Sequence, residues 1–168
     1  MIKMLRIDDR LLHGQVVFMW SKQLDIKGIV VANDALPNDP IQSMAMKLVV
    51  PEHMKLLIKR VDDAVTFLND PRIETMNVLV VVKDPIDAAA VMKGLANPSI
   101  VQTLNIGNSG RVEKGNKQKL TPEVYVDKQD IQALNELLTY QLPFDIQMIP
   151  THSKTSVKEA LKHFKEEE

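Results

Sequence analysis

Two short, uninterrupted apolar runs constrain this chain more than anything else in it: Gly28-Ile-Val-Val-Ala32 and Val78-Leu-Val-Val-Val82. Such β-branched runs offer no polar face to water, so both read as strands covered on both faces, and that requires a parallel sheet with helices on either side. Ile2–Ile7, Lys55–Ile58, Val101–Ile106 and Asp145–Ile149 read as further strands, and Val124-Tyr-Val126 is a candidate short edge strand. Helix starts lie between them. Asp39-Pro40 and Asp84-Pro85 each place an acidic cap before a proline at the first helical position. Asp127 precedes the amphipathic run Ile131, Leu134, Leu137, Leu138, and Ser156 with Glu159 reads as a capping box. Strands alternating with helices in this way predict right-handed crossovers and a doubly wound, mostly parallel open α/β sheet with helices on both faces and room for an antiparallel edge strand. No repeat or linker divides the chain. We expect one domain over residues 1–164 and a frayed charged tail over 165–168, with Gly107–Leu120 as a polar loop. Met44, Met46 and Met54 are expected in or beside the core, and one of Phe18 and Trp20 turned inward.

Composition removes several classes of function. With 21 Lys+Arg against 22 Asp+Glu the net charge is -1, which lacks the basic surplus of a nucleic-acid binder. The chain has no cysteine, so thiolate zinc sites and cysteine nucleophiles are excluded. Its N-terminal apolar stretch is broken by charge within a few residues, and no run approaches the roughly 20 apolar residues that span a bilayer. A cytoplasmic location is the expectation, and any role in transport would be exerted from the water side through partners.

Open parallel sheets bind ligands beyond the carboxyl ends of their strands. The loops to search are therefore Asp8–Gln15, Asn33–Asp39, Lys83–Pro85 and Asn105–Gly115. The first is the richest: Arg6-Ile-Asp-Asp-Arg10-Leu-Leu-His13-Gly14-Gln15, which feeds a helix beginning near Val16. His13 would stand at or just before the helix N-terminus, where free N–H groups and the positive end of the dipole favour a phosphoryl group. The same field disfavours imidazolium and keeps the ring nucleophilic. Gly14 allows close approach of the backbone, Gly14 and Gln15 offer amides, and Arg10 offers a planar fork to phosphate oxygens. Asp8 or Asp9 would hold one ring nitrogen or orient Arg10. On physics alone, a capped and salt-bridged turn is the commoner use of such residues.

The segment Arg6-Ile-Asp-Asp-Arg-Leu-Leu-His-Gly-Gln-Val16 resembles the phosphorylation-site motif of the mannose/fructose/sorbose family of phosphotransferase-system IIB components. The resemblance continues in order through Val30-Val-Ala-Asn-Asp34, Asn38-Asp-Pro40, Val82-Lys-Asp-Pro85, Leu104-Asn-Ile-Gly-Asn108 and Met148-Ile-Pro-Thr151. It implies a protein-Nπ-phosphohistidine–sugar phosphotransferase of the cytoplasm, associated peripherally with the membrane. Such a domain takes a phosphoryl group from a phosphorylated IIA protein onto Nδ1 of His13 and passes it to a sugar entering through membrane IIC and IID components. No organic cofactor is implied; the group is carried covalently. The transfer-assisting arginine falls on Arg10. Arg6, Asp8 and Asp9 occupy the motif's other charged positions, and Asn33, Asp34, Asn105 and Gly107 fall in loops at the same sheet edge. Asn108, where the family often has a second glycine, resembles the N-acetylgalactosamine branch, and His152 stands where the family commonly has an acid.

His53, His152 and His163 read as surface residues with no metal-ligand spacing, so no metal is expected. Two rival readings remain. In one, the His13 loop is a non-catalytic anion- or phosphometabolite-binding regulatory site. In the other, the chain is a hydrolase or transferase acting alone on a small phosphorylated substrate.

Overall fold

The computed structural model describes residues 1–164; the expected frayed tail, 165–168, lies outside the described residues. In chain order the elements are β1 (Ile2–Asp8), α1 (Gly14–Leu24), β2 (Gly28–Ala32), α2 (Pro40–Val49), β3 (Lys55–Lys59), α3 (Val61–Leu68), β4 (Val78–Val82), α4 (Pro85–Gly94), β5 (Leu104–Asn108), β6 (Gln118–Thr121), β7 (Val124–Val126), α5 (Lys128–Leu138), β8 (Phe144–Ile146), β9 (Thr155–Ser156) and α6 (Val157–Lys162). Seven strands form one sheet in the order β3-β2-β4-β1-β5-β8-β9. Every neighbouring pair is parallel except β8 with β9. The continuously apolar strands β2 and β4 lie side by side and are fully buried, as strands without a polar face must be.

Alternation along the strands divides the core in two. Val30, Ala32, Val78, Val80 and Val82 join Ala64, Met92, Leu134 and Val157 of α3, α4, α5 and α6 on one face. Ile29, Val31, Leu79 and Val81 join Val16, Val17 and Trp20 of α1 and Met46 of α2 on the other. Full burial of such a side chain is worth about 1.5–3 kcal/mol. Trp20 is the inward aromatic of α1 and Phe18 the outward one. Met46 and Met54 are buried as expected, but Met44 is exposed, because α2 touches the sheet along a single narrow stripe.

The acidic caps hold their helices: Asp39 accepts from the Gln42 N–H at 3.1 Å, Asp84 from Asp87 at 2.8 Å, and Asp127 forms a reciprocal box with Asp130. β1 and β3 each run one residue further than expected, to Asp8 and Lys59, and four other boundaries differ more. Val124–Val126 is not an edge of the main sheet; it pairs with β6 in a separate hairpin, the cheaper closure for segments so near in sequence, and β9 supplies the antiparallel edge. The polar stretch from Gly107 therefore shortens, its first two residues completing β5 and Gln118–Leu120 entering β6. β5 begins at Leu104 rather than Val101, whose N–H closes a turn on Pro98. β8 runs from Phe144 to Ile146, and beyond it Gln147 and Met148 turn their carbonyls to another partner.

Candidate functional site

That partner is Arg6. It leaves the middle of β1 toward α1, is 2% exposed, and stacks its guanidinium 5.8 Å from the Trp20 ring centroid. A buried cation needs acceptors, and both Nη atoms of this one have two each. Nη1 donates to Asn105 Oδ1 at 2.6 Å and Gln147 O at 3.3 Å; Nη2 donates to Asp8 Oδ2 at 3.1 Å and Met148 O at 3.0 Å. Burial lowers the Arg6 pKa while Asp8 opposes that shift. Gly107 is glycine for the same reason: a Cβ there would collide with the Arg6 guanidinium and lie 2.9 Å from Asp8 Oδ2.

Asp8, itself fully buried, couples this interior network to the surface. Its Oδ1 accepts from the Arg10 backbone N–H at 3.0 Å and from Arg10 Nε at 3.4 Å. The turn closes when the Leu11 N–H donates to Asp8 O at 2.9 Å, with Leu11 at φ 60. The left-handed region costs a branched side chain about 1–2 kcal/mol, and burial of Leu11 and Leu12 against the α1 side of the core holds it there.

His13 follows as the N-cap of α1, extended at φ -127 and ψ 122, with its ring exposed. Its carbonyl accepts the Val17 N–H at 2.8 Å. Among the described residues the N–H groups of Gly14, Gln15 and Val16 have no acceptor, the usual state of a first helical turn and one suited to an anion. Arg10 Nη1 lies 3.4 Å from His13 Nε2, and Arg10 Nη2 has no partner. A Cβ on Gly14 would touch only Val49, at an ordinary 3.8 Å, so no protein atom requires glycine there.

The remaining expected residues divide. Asn105, Gly107, Arg6 and Asp8 converge beneath the His13 loop. Asp9 points elsewhere, accepting the N–H groups of Arg111 and Val112 at 2.8 and 3.0 Å and so tying the loop after β5 to β1. Of the two carboxylates, Asp8 orients Arg10, and neither bonds the His13 ring among the described residues. Asn33 accepts from the N–H groups of Ala35 and Leu36, and Asp34 from that of Val61 at the start of α3; both brace their own loops. His53 and His152 are exposed, and His163 lies 3.9 Å from Glu159. Sequence reasoning missed Arg111, which donates to Asn108 Oδ1 at 3.3 Å, and the Gln147 and Met148 carbonyls, which as backbone groups carry no residue signal. It also missed Asp87, whose carboxyl is pushed up to about 7 by burial and then by Asp84 and Asp34, against the opposing pull of Lys83. Among the described residues no group of three or more His, Cys, Asp or Glu could hold a metal, and no helix is long and apolar enough to cross a membrane.

A parallel open sheet with an exposed histidine capping its first helix, braced by a buried arginine–aspartate pair, defines a class, and the comparisons name it. The family model described as PTS system sorbose subfamily IIB component matches residues 2–168. A probable phosphotransferase enzyme IIB component of Streptococcus pyogenes is 34% identical over 160 residues, covering 95% of this chain and 98% of that protein. The N-acetylgalactosamine-specific phosphotransferase enzyme IIB component 2 of Escherichia coli is 31% identical over 146 residues, 87% and 89% of the two chains. The crystal structure of the IIBSor domain of the Klebsiella pneumoniae sorbose permease superposes with a TM-score of 0.86 at 28% identity, covering 96% of each chain. This chain belongs to the sorbose subfamily of phosphotransferase-system IIB components, proteins of sugar uptake. Relatives named for sorbose and for N-acetylgalactosamine stand at similar identity, so one scaffold serves different sugars.

Proposed function

We propose that His13 is the phosphoryl carrier of this IIB component, accepting the group from a phosphorylated IIA protein and passing it to a sugar that enters through membrane IIC and IID components. The observation that carries this reading is the exposed His13 ring at the α1 N-cap, with free amides on one side and Arg10 on the other. In the first step a lone pair of His13 attacks phosphorus in line. The new N–P bond forms as the bond to the donor histidine breaks, and that electron pair returns to the donor ring. In the second step a sugar hydroxyl attacks, its proton leaves to solvent, and His13 recovers its lone pair. The domain contributes orientation and charge complementarity.

A guanidinium can only donate, so the Arg10 contact makes Nε2 the acceptor and leaves the ring proton on Nδ1. Exposure of His13 lets water exchange the tautomer, freeing Nδ1 for attack. Attack through Nδ1 leaves the ring proton on Nε2; that proton passes to solvent as the N–P bond forms, and Nε2 regains a lone pair for Arg10. The Gly14, Gln15 and Val16 amides are the donors for the equatorial oxygens, and Arg10 offsets their charge. The group is held covalently, with no organic cofactor, on a cytoplasmic protein that meets the membrane only through its partners.

The test is transfer from phosphoenolpyruvate through the general phosphotransferase proteins and a cognate IIA, read by intact mass and phosphorus NMR. One acid-labile phosphate on Nδ1 is expected, absent in His13→Ala, whose circular dichroism and melting stay those of the parent chain. A folded chain left unmodified by phosphorylated IIA, yet binding free phosphate reversibly, would make the loop a regulatory anion site instead.

A further inference from the structure

Away from His13, the opposite margin of the sheet has features that phosphoryl transfer does not use. β3 is an edge strand, paired only with β2. The Lys55 N–H donates to Lys27 O and Lys59 O accepts from Asn33, so the odd residues of β3 turn their backbone groups inward. Leu56 and Ile58 therefore turn theirs outward, where no described residue meets them, and their side chains are half-buried where those of β2 and β4 are sealed. Beside the strand, under α3, is a cavity of about 550 Å³ walled by Val30, Leu57, Phe67, Ile73, Met76 and Val78. Lys55 lines it as well, and Lys59 shares the Leu57 face two positions on by strand alternation. Among the described residues neither lysine is in an ion pair, whereas the nearby Arg72 is already taken by Asp70 at 2.6 Å.

We infer that the β3 edge is a docking site for an extended acidic peptide segment of another protein, which adds a strand beside Lys55–Lys59. Residues directly opposite each other across a strand pair share a face. The segment's residue opposite Leu57 therefore hangs over the cavity and is large and apolar, while its residues opposite Lys55 and Lys59 are acidic. Main-chain bonds to Leu56 and Ile58 supply affinity, and the cavity and lysines supply selection. A second copy of this chain is the wrong occupant. Antiparallel β3–β3 pairing about Leu57 sets Lys55 of each copy against Lys59 of the other, and directly opposed like charges repel.

The probe is a blocked heptapeptide, Thr-Glu-Val-Phe-Val-Glu-Thr, titrated into the full-length ¹⁵N-labelled chain and followed by amide NMR and hydrogen exchange. Saturable shifts and new exchange protection at Leu56 and Ile58 are expected. The same peptide with lysine for glutamate should bind about tenfold more weakly, and the Lys55→Glu/Lys59→Glu chain should reverse that order. Because the charge-swapped lysines lie outside the core, that variant keeps the test valid where Ile58→Pro, which deletes an outward donor, fails to fold. Absence of shifts at β3 up to about 1 mM peptide would overturn the inference, since that limit corresponds to about −4 kcal/mol of binding. So would equal binding of both peptides, or concentration-dependent protection of β3 without peptide, which would make the occupant a second copy.

Discussion

Arg6 and Arg10 stand four residues apart in one motif, carry the same charge and share one carboxylate, yet they do opposite work. Arg6 is 2% exposed, with both Nη atoms committed to four acceptors around Asp8. Arg10 is about one-third exposed, spends its Nε on Asp8 at 3.4 Å, and brings Nη1 to 3.4 Å from His13 Nε2, while its buried Nη2 has no partner. The first cation is scaffold, and the second is available for chemistry. Residue type therefore assigns neither role; the number of acceptors already committed does. Two substitutions test that division and a third tests a carboxylate outside it, in order of expected effect.

Arg6→Ala should cost about 3–5 kcal/mol in urea unfolding, because it leaves the buried Asp8 carboxylate and the Asn105 amide oxygen without their cation, although the Gln147 and Met148 carbonyls keep Asn105 Nδ2 and Trp20 Nε1 as donors. A loss below about 1 kcal/mol, the scale of an exposed pair, would erase the distinction between the two arginines. Arg10→Lys should slow phosphoryl transfer about 10–100-fold while shifting the melting temperature by less than about 2 °C, since a lysine keeps charge but loses the fork. An unchanged rate with lowered stability would make Arg10 a second brace.

The third concerns a carboxylate without the compensation Asp8 enjoys. Asp87 is pushed up to about 7 from 3.8 by burial, Asp84 and Asp34. The unfolded chain releases this proton near pH 4 while the folded chain holds it to about 7, so stability falls as pH rises through that window and stays low above it. Asp87→Asn should therefore stabilise the chain at pH 8 by about 1–2 kcal/mol, after discounting for partial exposure, and change it little at pH 4.5. Unfolding midpoints at both pH values decide it; a variant less stable at pH 8 would show that the Asp87 charge is compensated after all.

Much of this arrangement is legible in the sequence, and the rest is hidden for identifiable reasons. β2 and β4 are read to the residue because their apolar runs have no other use. The caps at Asp39, Asp84 and Asp127 are read because short acidic side chains before a helix do one job. The end of β5 is lost because Gly107 and Asn108 look like a turn; Gly107 is small to accommodate Arg6, whose own burial no local pattern reveals, and Asn108 accepts from Arg111. Val124–Val126 is misplaced because a three-residue strand satisfies a hairpin and a sheet edge equally well. The left-handed Leu11 breaks the rule that such backbone belongs to glycine or asparagine, so nothing in its identity announces it.

The carbonyls that hold Arg6 sit 141 and 142 residues further along the chain. A ribosome delivers the His13 loop long before its brace. Until Met148 has emerged and β8 has docked, the loop's buried cation lacks two of its four acceptors, whatever the earlier strands have achieved. Competence is thus dated by Gln147 and Met148: a fragment released before them carries the whole Arg6–Gln15 segment without the means to hold it in shape.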